Sequence, residues 1–206
     1  MKRLYLLTLS LLAACVSFAQ EQQPLDALSR TLSSGEIRFK YSFEVKGDIP
    51  LKGNGTAALC GEAYHIFGNE MEIWCDGKTR WTIDRNTREA YVETVDPDAV
   101  DYISNPATLL EALPYAFDTR SVANATLGGK TLKVIQLTPS VGDTGLKSVA
   151  LYLAGTVPER VSITVDDGTE TLFRLSSFTV REKSDASAFA FDIASLSTDY
   201  VVTDLR

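Results

Sequence analysis

Between residues 36 and 46 apolar side chains fall on every second position: Ile37, Phe39, Tyr41, Phe43 and Val45 alternate with Arg38, Lys40, Ser42, Glu44 and Lys46. A period of two puts one set on each side of an extended chain, so this stretch predicts a β-strand with one dry face and one wet face. Residues 71–91, MEIWCDGKTRWTIDRNTREAY, extend the pattern. Met71, Ile73 and Cys75 share one side of a first run, and Thr79, Trp81 and Ile83 share one side of a second. Asp76-Gly77-Lys78 separates the two runs, and Asp-Gly is a strong hairpin signal because glycine accepts the positive φ of a tight turn. A polar segment, residues 84–88, leads into a third run at 90–92. The expectation is an antiparallel meander whose first two runs turn their apolar sides toward a common interior.

The same reading finds a strand over 52–60 that carries Gly53 and Gly55, where a bulge or bend would curve the sheet. Further strands are expected over 62–67, 131–138, 148–153, 160–165, 170–175 and 177–181, with a tight turn at Asp167-Gly168. Phe189 and Phe191 alternate in a last short strand, and 200–202 forms one more. Two segments have helical spacing instead. Residues 24–33 place Leu25, Leu28 and Leu32 on one side, with Pro24 in the first turn and Gly35 past the end. Asn105-Pro106 opens a short helix over 107–113 with Leu109, Leu110 and Leu113 on its apolar side, and Pro114 closes it. The tally is about ten strands and two short helices, mainly β.

The chain is 206 residues long and 45% apolar, which suits one domain. Its first residues are a different matter. Lys2-Arg3, an apolar run over 4–14 and Ala19 before Gln20 predict a secretory signal peptide over 1–19, too short to span a membrane. The mature domain is then 20–206 and periplasmic. Leu12-Ala13-Ala14-Cys15 also matches a bacterial lipobox, so an alternative is a chain anchored through a lipid on Cys15; the apolar residues 16–19 after it favour ordinary cleavage. The formal charge is -7, and removing Lys2 and Arg3 from the 20 basic residues leaves 18 against 27 acidic, or -9. Nucleic acid and anionic membrane surfaces are therefore poor partners.

Little in the chain suggests catalysis. The one histidine, His65, sits in mid-strand beside Tyr64 and Ile66, where a structural role is the simpler reading, and an enzyme would need a polar cluster around it. One histidine and two cysteines do not make a zinc site, and no cofactor is expected. Gly128-Gly129-Lys130 precedes a strand instead of opening a helix, so it is no phosphate loop. The acidic loop over 92–101 lacks the ligand spacing and turn glycine of a calcium loop. Cys60 and Cys75 would reach the same end of neighbouring strands if the chain turns at Gly61-Glu62 and Gly68-Asn69, so a disulfide and two buried thiols are both open.

The order of helix, strand and glycine-bearing strand, then Asp76-Gly77-Lys78-Thr79 with Trp81 and an Asp84 turn, then Asn105-Pro106 with Leu109-Leu110, and finally Phe189-Ala190-Phe191-Asp192, resembles the LolA family of periplasmic lipoprotein carriers. The resemblance implies an unclosed antiparallel β-barrel, a half-barrel of LolA/LolB type with a helical lid. It implies a monomeric carrier that holds the acyl chains of lipoproteins and passes them from an inner-membrane exporter to an outer-membrane acceptor. One departure is plain: where proteobacterial members have Arg-Pro after the second strand, the arginine latching the lid, this chain reads Cys60-Gly61-Glu62.

On this reading the cavity and lid are lined by Leu25, Leu28, Leu32, Ile37, Phe39, Tyr41, Phe43, Ile73, Trp81, Ile83, Leu109, Leu110 and Leu113. It requires Phe39, Tyr41 and Trp81 to lie on one side of the sheet. Burying an acyl chain of roughly sixteen carbons yields on the order of 12 kcal/mol before offsets, so a carrier that must release it needs lid leucines that refill the space. Two other readings remain: a membrane-tethered acceptor of LolB type, and a non-catalytic envelope module that binds a protein partner on the same fold.

Overall fold

The structure, a computed structural model, describes residues 24–47, 50–96, 109, 112–113, 115–140, 142 and 144–206. The expected signal segment with Cys15, Asn105-Pro106, Leu110, Pro114 and the acidic loop from residue 97 lie outside the described residues. The strands are β1 (Glu36–Lys46), β2 (Leu51–Cys60), β3 (Ala63–Gly68), β4 (Met71–Cys75), β5 (Thr79–Asp84), β6 (Glu89–Thr94), β7 (Phe117–Leu127), β8 (Lys130–Pro139), β9 (Leu146–Ala154), β10 (Val157–Val165), β11 (Glu170–Arg181) and β12 (Val201–Asp204).

All twelve belong to one sheet, in the order β12-β6-β5-β4-β3-β2-β1-β11-β10-β9-β8-β7. One meander, β1 to β6, runs outward from β1. The chain then passes through a second short helix to the opposite edge, and the meander β7 to β11 returns until β11 pairs with β1. Every pairing is antiparallel except that of β12 on β6. The strands at the two ends of the order do not pair with each other, so the sheet is the expected unclosed half-barrel. Local chemistry fixes its turns: Asp76 Oδ1 accepts from the amides of Lys78 and Thr79 at 2.9 and 2.8 Å, and Gly77 takes φ 89°.

Both helices lie on one face of the sheet, which we call the inner face. Residues 24–33 are helical, and so are Leu109 and Ala112; the amide of Leu113 donates to the carbonyl of Leu109 at 3.2 Å. Leu25, Leu28, Leu109 and Leu113 form one buried core with Ile135, Leu137, Val149, Leu151 and Val161. Each such leucine contributes about 1.5–3 kcal/mol by leaving water. Leu32, half-buried, joins this core to a second one on the same face, made of Ile37, Leu59, Tyr64 and Cys75.

Four expectations about elements are corrected. β7 was not anticipated, because FDTRSVANATL is an edge strand with little apolar alternation to announce it. The runs 170–175 and 177–181 are one strand, interrupted by a bulge opposite Arg38 and Lys40 at which Ser177 takes φ 55°. Phe189 and Phe191 belong to no strand: Ala186–Phe189 and Ile193–Ser195 are 3-10 turns, capped by Asp185 and Asp192. Gly53 and Gly55 make no bulge either, since β1 and β2 pair without a register shift from Ile37 to Val45.

Candidate functional site

Cross-strand partners share a face, so the register determines what the inner face presents. Along one row Phe39 stands opposite Ala57, Ala57 opposite Ile66, and Ile66 opposite Ile73. On the other side of β1, Phe178 of β11 stacks on Phe39 with ring centroids 6.3 Å apart. A second row, Tyr41, Gly55, Gly68 and Met71, runs beside it. Phe39, Tyr41, Phe43, Ile66, Ile73, Phe173 and Phe178 are all half-buried, unlike the sealed core beneath the helices. An apolar face thus continues out from under the helices across β1 to β4.

The glycines of the second row have a packing role. A Cβ on Gly55 would meet the Tyr41 hydroxyl at 2.6 Å, one on Gly68 would meet it at 2.8 Å, and one on Gly53 would meet the Phe43 ring at 2.5 Å. The rings of Tyr41 and Phe43 therefore lie down over a glycine floor, as aromatic side chains do over strand glycines. Tyr41, Phe43 and Phe173 contact one another at 6.0–6.4 Å between centroids. Burial raises the Tyr41 pKa.

Of the lining residues expected from the sequence, Ile37, Phe39, Tyr41, Phe43 and Ile73 share this face, with Leu25, Leu28, Leu32, Leu109 and Leu113 in or beside its helical cover. Leu110 lies outside the described residues. Trp81 and Ile83 do not join them. Ile73 is opposite Thr82, and Trp74 is opposite Trp81, so the apolar sides of β4 and β5 point to opposite faces of the sheet. On that outer face Trp81, Ile83, Ala90 and Val92 are covered by Phe191, Ile193, Leu196 and Tyr200 of the C-terminal segment. The common interior expected for the two runs is corrected accordingly, and Trp81 is a core residue of the outer face.

Of the two arrangements left open for the cysteines, the same parity favours two buried thiols. Cys60 pairs with Ala63, whereas Cys75 pairs with Tyr64, the next residue along β3, so the two side chains leave on opposite faces. Both are free and buried. Cys75 Sγ accepts from the amide of Gly77 at 3.4 Å, and burial pushes its thiol pKa up. Tyr64 beside it is pushed up to about 12, chiefly by burial.

Phe178, Phe173 and Ile66 were missed as lining residues. The period of two in β11 is broken by its bulge, and Ile66 sits in a strand too short to show alternation. His65 has polar neighbours, Glu72 and Arg85. Its Nε2 lies 3.0 Å from Glu72 Oε1, its ring stacks on Trp74 at 3.7 Å, and Arg85 holds the other Glu72 oxygen. Among the described residues no group of three or more histidine, cysteine or acidic side chains could hold a metal, and no helix is long and apolar enough to cross a membrane.

Comparison with known proteins agrees with this fold. Residues 68–192 match the family model of the outer membrane lipoprotein carrier protein LolA, and the chain belongs to that family. A solved structure described as an uncharacterized conserved protein from Thermus thermophilus is similar at 11% identity and a TM-score of 0.54, over 89% of this chain and 98% of that one. At this identity the likeness establishes the fold. A LolA superfamily protein from Nitrosomonas europaea is 9% identical with a TM-score of 0.44, covering 82% of this chain and 97% of its own. Among curated proteins none matches the chain in sequence.

Proposed function

We propose that this LolA-family chain is a periplasmic carrier that holds the acyl chains of lipoproteins on the inner face and moves them toward the outer membrane. The observation that carries the reading is the apolar row Phe178, Phe39, Ala57, Ile66 and Ile73, half-buried except at Ala57, which emerges from beneath two helices whose leucines already form a core with the same sheet. A lid of leucines that packs on the site when empty lets an incoming acyl chain exchange one apolar contact for another. Such exchange tempers the roughly 0.8 kcal/mol per methylene that would otherwise make release too slow. The family arginine that latches the lid is absent at Cys60-Gly61-Glu62, so the first helix is held down by the buried Leu25 and Leu28, and Leu32 carries its contact from one inner core to the other.

The test is uptake of a fluorescent palmitoyl probe by the mature chain. Binding that is saturable and lost in Phe39→Glu, with the variant's circular dichroism and melting intact, supports the reading. Unchanged uptake in a folded Phe39→Glu variant overturns it. Mass spectrometry of the mature N-terminus then separates a free carrier from an acceptor anchored at Cys15.

A further inference from the structure

The inner face does not end at β4. The apolar row that reaches Ile73 continues to Thr82 and Tyr91, flanked on one side by Arg80 and Glu93 and on the other by Asp84 and Glu89. These six side chains form a polar shelf two strands wide on the same face as the apolar row. They are open to water: the Arg80 and Glu93 side chains are 32% and 34% exposed and Tyr91 is 37% exposed. Arg80 is spoken for, its Nε and Nη2 donating to Glu93 Oε2 at 3.1 and 2.9 Å. Asp84 accepts from the amides of Asn86 and Thr87, which with little desolvation lower its pKa and keep it charged, and Glu89 accepts from the Tyr91 hydroxyl at 3.1 Å. With Arg80 neutralised by Glu93, the shelf keeps two uncompensated carboxylates.

We infer that this shelf receives the polar end of the ligand, and that it is built for the first residues of a lipidated polypeptide carrying lysine or arginine. The inference rests on the acyl-binding reading above and adds to it where the rest of the ligand lies. An amphiphile laid along the row from Phe39 to Ile73 places its polar end at Thr82 and Tyr91. The shelf spans two interstrand spacings beyond β4, about 10 Å, and five residues along β5, about 13 Å, an area that suits an extended peptide better than a single head group. Its charge favours cations and repels an anionic phospholipid.

The experiment measures binding of two palmitoylated peptides that are identical except for two lysines or two glutamates after the acylated residue. The wild-type chain is expected to prefer the lysine peptide by roughly three- to fivefold at low ionic strength, with the preference shrinking as salt is added. Glu89→Gln should reduce the ratio and Glu89→Lys should invert it, and either variant suffices if the other misfolds. Equal affinities for the two peptides, both still bound, overturn the shelf and leave the acyl reading standing. Failure of either peptide and of the palmitoyl probe to bind wild type overturns both. A zwitterionic phospholipid of equal acyl length that displaces the lysine peptide as well as the peptide itself overturns the assignment to a polypeptide.

Discussion

Ile73 in β4 and Thr82 in β5 are direct partners across one antiparallel ladder, and between them the sheet changes which side it keeps dry. From β7 across to β4 the inner face is apolar; from β5 to β6 the inner face is polar and the outer face carries Trp81, Ile83, Ala90 and Val92. The sheet therefore has two covers. The helices lie on the inner face, and the segment from Ser184 to Tyr200 lies on the outer one. Its start is fixed by Ser184 donating to the buried Glu36, and its end by the ion pair of Arg88 with Asp199.

Trp81 and Phe39 are expected to respond differently to substitution. Trp81→Ala empties a buried site on the outer face and should cost about 3–5 kcal/mol, read as a lower urea midpoint. The folded fraction should still take up the palmitoyl probe. Loss of uptake without loss of stability would return Trp81 to the binding face and contradict the register.

Gly55→Ala should destabilise the chain although alanine is a small residue. The added Cβ would stand 2.1 Å from the carbonyl oxygen of Phe67 and 2.6 Å from the Tyr41 hydroxyl, and the first of these is backbone that cannot swing aside. Overpacking of this kind costs about 1–3 kcal/mol, and a backbone neighbour puts the value at the upper end. A midpoint shift in urea at unchanged m value measures it.

Much of the architecture was legible in the chain because β1, β4 and β5 alternate cleanly and their turns carry Asp-Gly or Asp-capped signatures. The side to which β5 turns its apolar residues was not legible. Each run alone shows a dry face, and only the pairing of Trp74 with Trp81 decides whether successive dry faces coincide. The aromatic residues Phe189 and Phe191 misled for a related reason. Alternation over three residues is equally what two capped 3-10 turns produce when they press Phe189 on Cys60 and Phe191 on Trp74. Gly53 and Gly55 were read as a bend because their tertiary use, seating Phe43 and Tyr41, depends on partners far along neighbouring strands.

The cysteine geometry predicts a chemical result. A chain begun at Gln20 contains Cys60 and Cys75 as its cysteines, and they leave opposite faces of the sheet. Unfolding that chain without reductant should expose two titratable thiols per molecule. In the folded state both should react slowly, because each is buried and the Cys75 thiol is held protonated by its surroundings.

Acid should weaken the outer face in two stages. Burial lowers the pKa of His65 below 6.5, and the Glu72 carboxylate only partly restores it. A group with a depressed native pKa contributes its stability above the unfolded value, so this contribution is complete above pH 6.5 and is lost as pH falls through the native pKa. Burial pushes Glu72 up, but Arg85 and His65 outweigh it and leave its pKa below 4.5, so a second loss begins below pH 4.5. Urea midpoints measured from pH 7.5 downward should fall in both windows, and His65→Gln should remove the first while leaving the second. A slope of the opposite sign between pH 7.5 and 5 would show that His65 gains, instead of loses, proton affinity on folding.

Removing the outer cover should uncouple the two faces. Deleting residues 191–206 strips Phe191, Ile193, Leu196 and Tyr200 from Trp81 and Ile83, and with them β12 from the edge of β6. The apolar area so exposed belongs to a face with no part in the proposed acyl site. The truncated chain should therefore melt earlier and bind an apolar dye such as anilinonaphthalene sulfonate, with Trp fluorescence shifted to the red. The inner core of Leu25, Leu28, Leu109 and Leu113 makes no contribution to that cluster, so the protection of β8 and β9 amides from hydrogen exchange should change less than that of β5 and β6. Equal loss of protection across all twelve strands would mean that the two covers stabilise one cooperative unit, and that the change of face between Ile73 and Thr82 divides the sheet's surface without dividing its stability.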